Sequence, residues 1–197
     1  MNTNQQTEAS ALSRRRNATK RLVLNALFAA LYIVFSFLSG HFPTLKVSLT
    51  SVPIFLCAFL FGPLDAMAVA FVGTLIEQLA YGISPTMPLW MLPMILTGLF
   101  VGLLAHFLPI LKNGYQKTVL YAVCLIGTVI VGELFLTAVN TGALYLDGYL
   151  MKYPVKALNL IIIPRLINCG LRAAVNCIVV YFLLPPVQKM INMRKNS

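Results

Sequence analysis

Apolar residues run through this chain in long unbroken blocks, separated by short polar or proline-glycine breaks. The first block spans Leu22 to Ser39 and follows a basic cluster. A second, Val47 to Phe61, ends at "FGPLD", where Gly62-Pro63 is a turn signal. The third runs from about Leu64 to Tyr81, and "YGISPTMP" breaks the chain after it. The fourth covers Leu89 to about Ile110, the fifth about Thr118 to Leu146, and the sixth about Ala157 to Leu184, closed by Pro185-Pro186. About 20 apolar residues per crossing of a bilayer is the measure of a transmembrane helix. Continuous runs of this kind, without strict alternation, predict helices rather than a membrane β-barrel. The expectation is an all-α membrane protein of six transmembrane helices. A basic tail without fixed structure precedes it (1–21), the six-helix domain covers 22–186, and a second basic tail closes it (187–197).

Composition supports a membrane protein over a soluble domain. The 197 residues are 59% hydrophobic and only 10% charged, with a mean hydropathy of +0.83; a soluble domain carries about 25% charged residues. The run Leu22–Ser39 is longer than the core of a secretory signal peptide, and no A-x-A site ends it, which favours a first membrane helix. Charge sets a topology. With six crossings both termini share one side, and that side then holds Arg14, Arg15, Arg16, Lys20, Arg21, Lys112, Lys117, Lys189, Arg194 and Lys195. The other side holds Lys46, Lys152 and Lys156. The positive-inside rule therefore puts both termini in the cytoplasm. The net charge of +10 thus reads as topology and gives no reason to expect nucleic acid. Cys57, Cys124, Cys169 and Cys177 lie inside apolar runs and read as packing residues. His41 and His106 stand isolated at helix ends, so no metal site and no cofactor is expected. Nucleotide-binding and hydrolytic motifs do not occur in the sequence, which argues against an enzyme.

Polar residues inside the blocks carry the functional signal. Arg165, Asn168, Arg172 and Asn176 follow i, i+3, i+7, i+11 and share one face of the sixth helix. A charge at the centre of an inserting helix costs about 2.5–3.5 kcal/mol, so that face turns away from lipid. Glu133 and Asn140 make a matching row on the fifth helix, and Glu77 and Gln78 lie near the end of the third. Arg172 is level with Glu133, which suggests a structural charge pair. Arg165 follows Pro164 and lies nearer the outer mouth, at about the level of Asn140, Glu77 and Gln78. There it suits a ligand carboxylate, which a guanidinium can hold through two parallel hydrogen bonds. Charge pairing that merely joins helices is the alternative for both. Trp90, Tyr81, Tyr145, Tyr149 and Tyr153 gather at outer helix ends. An interfacial aromatic belt accounts for such a group, though Trp90 and Tyr145 are also placed to enter a pocket, with Asn168 and Thr86 beside it. In the first helix "LNALFAALYIVF" sets Ala26 and Ala30 four apart, a spacing that lets a second helix approach closely. It serves either internal packing or docking of a separate membrane subunit.

With these features together the chain resembles the S-components, or substrate-binding subunits, of energy-coupling factor (ECF) vitamin transporters. The likeness rests on six helices in under 200 residues, the alanine pair Ala26 and Ala30, and the segment "VPIFLCAFLFGPLDAMAVAFVGTLIEQLAYGISPTMPLWMLPMILTGLFVGLL" with its P-x(8)-GP pattern. "VNTGALYLDGYL" and the proline-arginine step of the sixth helix are similar to the folate and pantothenate branch. The resemblance implies a binding subunit in a prokaryotic plasma membrane. It captures a vitamin from outside, docks through helix one on a transmembrane scaffold with two ATPase subunits, and topples to release its ligand. Folate relatives tend to carry "PGF"-like residues where "SPTMPLWMLP" stands, and an aspartate where Glu77 stands. Pantothenate, with one carboxylate, an amide and hydroxyls, is the ligand expected. Folate or a cobalamin-type ligand is the alternative, and an autonomous secondary transporter is a second one.

Overall fold

The computed structural model describes residues 3–40, 49–108, 119–152 and 162–193. These form six helices and no strand: α1 Thr3–Gly40, α2 Ser51–Phe61, α3 Pro63–Tyr81, α4 Met87–Phe107, α5 Val119–Leu150 and α6 Ile162–Met193. Five contain a stretch long and apolar enough to cross a membrane: Ala18–Leu38 within α1, all of α3, α4 and α5, and Ile162–Lys189 within α6. The expected all-α membrane body of six apolar helices is thus found, with α2 as its short member. That helix has 11 residues, which at 1.5 Å per residue is only about 16 Å, half a bilayer core. The apolar run is longer than the helix because Leu49 and Thr50 lie outside it; Val47 and Ser48 fall outside the described residues.

Two further boundaries differ from the sequence reading. α1 begins at Thr3, so residues 3–21 of the expected unstructured tail are helical. It has no proline or glycine before Gly40 and is rich in Ala, Leu, Arg and Gln, all good helix formers. At the other end, α6 passes through Pro185 and Pro186 and ends at Met193 instead of stopping at Leu184. The prolines withhold the donors that would reach the carbonyls of Tyr181 and Phe182. Packing on either side holds the helix through them: Val180 and Leu184 are fully buried and Val187 is half-buried. The start expected for the sixth helix, Ala157, lies outside the described residues, as do His41 and Tyr153.

α2 is the axis of the bundle. It packs against α1, α3, α4 and α6, and every residue from Ser51 to Phe59 is buried. Gly62 ends it with φ +100°, a left-handed conformation that side chains with a Cβ resist. The Gly62 N–H donates to the Ala58 carbonyl at 3.1 Å, and Pro63 opens α3, where a missing N–H costs nothing. Asp65, in the first turn of α3, ties in α1. Arg21 donates to its carboxylate and to the Phe61 carbonyl, and Asn25 Nδ2 donates to Asp65 Oδ1 at 2.8 Å. α4 crosses α3 at close range along Gly98 and Gly102. A Cβ on Gly98 would come within 2.9 Å of the Ala66 carbonyl oxygen, and one on Gly102 would run into the backbone of Pro63. This is small-residue packing of the kind that joins helices in lipid.

Candidate functional site

The α2–α3 turn and the Arg21–Asp65 pair lie at one end of the bundle. The last turns of α3, the first turns of α4 and the amino end of α2 converge at the other. There a cavity of about 170 Å³ is lined by Tyr32 of α1, Thr50 just before α2, and Thr74, Glu77 and Gln78 of α3. Trp90, Pro93 and Met94 of α4, Leu136 and Asn140 of α5 and Arg172 of α6 complete it. Thr74, Glu77 and Gln78 face it together because they stand i, i+3, i+4 on one helix face. Pro93 puts no N–H into the α4 ladder, and Thr97 Oγ1 donates to the Pro93 carbonyl at 2.7 Å, a turn further on.

Its floor is a buried polar network. Glu133 is fully buried, and its Oε1 accepts from Ser51 Oγ at 2.5 Å and from Asn176 Nδ2 at 2.7 Å. Asn176 Nδ2 also donates to Ser51 Oγ at 2.8 Å. Three helices thus meet at one carboxylate, and the amino end of α2, where the helix dipole is positive, lies against it. Arg172 Nε stands 3.6 Å from Glu133 Oε2, an ion pair too long for a hydrogen bond, and Arg172 Nη2 donates to Thr137 Oγ1 at 3.0 Å. The Arg172 side chain is 15% exposed, and it reaches the cavity from this floor.

On the opposite wall Glu77 is held by α1. Tyr32 Oη donates to Glu77 Oε2 at 2.6 Å, and Ser36 Oγ donates to Oε1. The Tyr32 ring lies over Gly73, where any Cβ would strike it. Tyr32 is 1% exposed, so this clasp is part of the core.

The structure brings together Glu77, Gln78, Trp90 and Asn140 of the expected binding set, and adds Arg172. Arg165, Tyr145, Asn168 and Thr86 are not lining residues. Arg165 instead donates through Nη1 to the Asn140 carbonyl at 3.1 Å, and Thr86 is buried at the start of α4. The guanidinium on the cavity wall is thus the deeper one, Arg172, which also stands beside Glu133 as expected. Thr50, just before α2, and Arg172 line the same cavity, and Arg165 does not. Tyr32, Ser36, Thr50 and Thr74 were missed. Tyr32 and Ser36 form a polar i, i+4 pair in an apolar helix, a signal that the sequence did carry. Ala26 and Ala30 are exposed on the outer face of α1, while Phe28, Ala29 and Tyr32 turn inward.

An all-helical membrane body of this size, with a polar cavity set into one end, has the build of a small-molecule binding subunit. The family model for the ECF transporter substrate-specific component matches residues 20–184, and the chain belongs to that family. This is a family of transporter binding components, not of enzymes, and membership implies partnership with scaffold and ATPase components. No curated protein and no solved structure matches the chain.

Proposed function

We propose that this protein captures a small carboxylated vitamin, pantothenate above all, in the cavity at the outer face of a prokaryotic plasma membrane. A transmembrane scaffold and two ATPase subunits then drive import. The observation that carries the reading is the Arg172 guanidinium on the cavity wall. Glu133 balances its charge, and Asn140 and Gln78 line the same cavity. A desolvated guanidinium beside neutral amides suits a monocarboxylate with an amide. The cavity is smaller than the about 300–1,000 Å³ usual for drug-sized ligands, which favours a short acyclic acid over a folate or corrin ring system. Trp90 and Met94 supply the apolar wall that a short aliphatic chain needs.

Mass spectrometry of small molecules retained on the purified protein is the direct test. Pantothenate should be recovered in near-stoichiometric amount. Recovery of an uncharged or cationic vitamin instead would sink the carboxylate reading.

A further inference from the structure

The cavity has two unlike acid-base poles, and among the described residues only one of them has a balancing charge. Arg172 on the α5–α6 side is matched by Glu133 at 3.6 Å. Among the described residues, Glu77 on the α1–α3 side has no such match. The ion pairs among the described residues are Arg21–Asp65 and Arg172–Glu133, so no Lys or Arg of those residues lies within 4 Å of the Glu77 carboxylate. Its partners are two neutral hydroxyls, Tyr32 Oη and Ser36 Oγ, one on each oxygen. An ionised carboxylate offers about four lone-pair sites and no donor. Two neutral donors leave acceptor capacity on both oxygens, and Glu77 lines the cavity. Whatever meets Glu77 there has to donate.

We infer that Glu77 selects the far end of the ligand: the bound molecule lies across the cavity with its carboxylate on Arg172 and a hydrogen-bond-donating group, hydroxyl or ammonium, on Glu77. This deepens the carboxylated-vitamin reading and rests on it. It also excludes a class. A ligand acidic at both ends sets a second carboxylate against Glu77, where like charges repel at low dielectric. Selection for a donor end is sharp for the same reason that hydrogen bonds to charged groups are strong. Removing the donor leaves a desolvated carboxylate short of a partner. Tyr32 and Ser36 act as positioning residues, fixing the carboxylate so that its free lone pairs face inward.

The test is a ligand-by-variant titration calorimetry cycle on the full chain in detergent. The ligands are pantothenate and its dideoxy analogue, which keeps the carboxylate and amide and lacks both hydroxyls. The parent should bind pantothenate about tenfold or more tighter than the analogue, the range set by a hydrogen bond to a charged group. Glu77→Gln should lose that preference, mainly by weakening pantothenate, and Glu77→Asp, which keeps the charge on a shorter arm, should restore part of it. Equal preference in the parent and Glu77→Gln would overturn the assignment. So would a parent that binds both ligands alike, an outcome that needs no variant to fold. A monodisperse parent that binds neither pantothenate nor folate overturns the vitamin reading itself. A parent that binds pantothenate without discriminating overturns only the role of Glu77.

Discussion

Removing the Arg172 guanidinium takes from Glu133 the cation that stands 3.6 Å away and leaves a fully buried carboxylate with only Ser51 and Asn176 as partners. Breaking a buried pair on one side typically costs about 3–5 kcal/mol. Arg172→Met is therefore expected to lower the thermal midpoint in detergent markedly and to abolish pantothenate binding in whatever folded protein remains. Arg165→Met should behave differently. Arg165 is half-buried and bonded to a backbone carbonyl near the mouth, so the variant should fold and bind within about tenfold of the parent, a loss of no more than ~1.4 kcal/mol. Melting curves and titrations of the two variants side by side decide the matter; strong binding by Arg172→Met with none by Arg165→Met would reverse the assignment. Depth along the helices was legible in the sequence. The i, i+7 rows on the fifth and sixth helices place Arg172 level with Glu133 without any coordinates. What the sequence could not convey was which of two arginines on the same face meets open space. That depends on how the other helices pack around this face.

Close packing between helices follows a similar logic at the level of elements. Gly102 has no room for a methyl group, because Pro63 at the head of α3 occupies the place where its Cβ would sit. Gly102→Ala should push α4 off α3 and destabilise by about 1–3 kcal/mol, the usual cost of overpacking. Gly127, in α5, has nothing within 4 Å of its would-be Cβ. Gly127→Ala should be neutral or stabilising by up to about 1 kcal/mol through helix propensity alone. Thermal melting of both variants is the check, and equal shifts would mean that the α3–α4 seam is not as tight as it is drawn. The number and order of helices were legible from block length and breakers. The start of α2 and the end of α6 were not, since both depend on tertiary packing. An apolar run can include residues that are not helical, and two prolines that end a helix in isolation can be carried through when residues beside them, here Val180 and Leu184, are anchored in the core.

For the whole molecule, the exposed stripe on α1 is the feature that reaches beyond the chain. Ala26 and Ala30 leave a shallow track between Val23, Leu27 and Val34, all exposed. Family membership supplies partners that dock in the membrane. Ala26→Trp or Ala30→Trp is expected to leave titrated ligand affinity unchanged while reducing uptake to background in liposomes that also hold scaffold and ATPases. The parent alone, without those partners, should accumulate nothing against a gradient. Loss of binding in the tryptophan variants, or full uptake by them, would count against a docking role.

The shortness of α2 makes the protein a cup with a solid stem. Thr50 belongs to the bowl, and beneath it Ser51 to Phe59 are buried without a break, with Ile54, Phe55 and Cys57 at 0% exposure. A tube can pass its contents by parting one constriction after another. In the described residues the stem instead fills the axis from the bowl down to the Gly62 turn, about 16 Å of tightly packed helix. Hollowing it out would dismantle the core that holds the other helices in place.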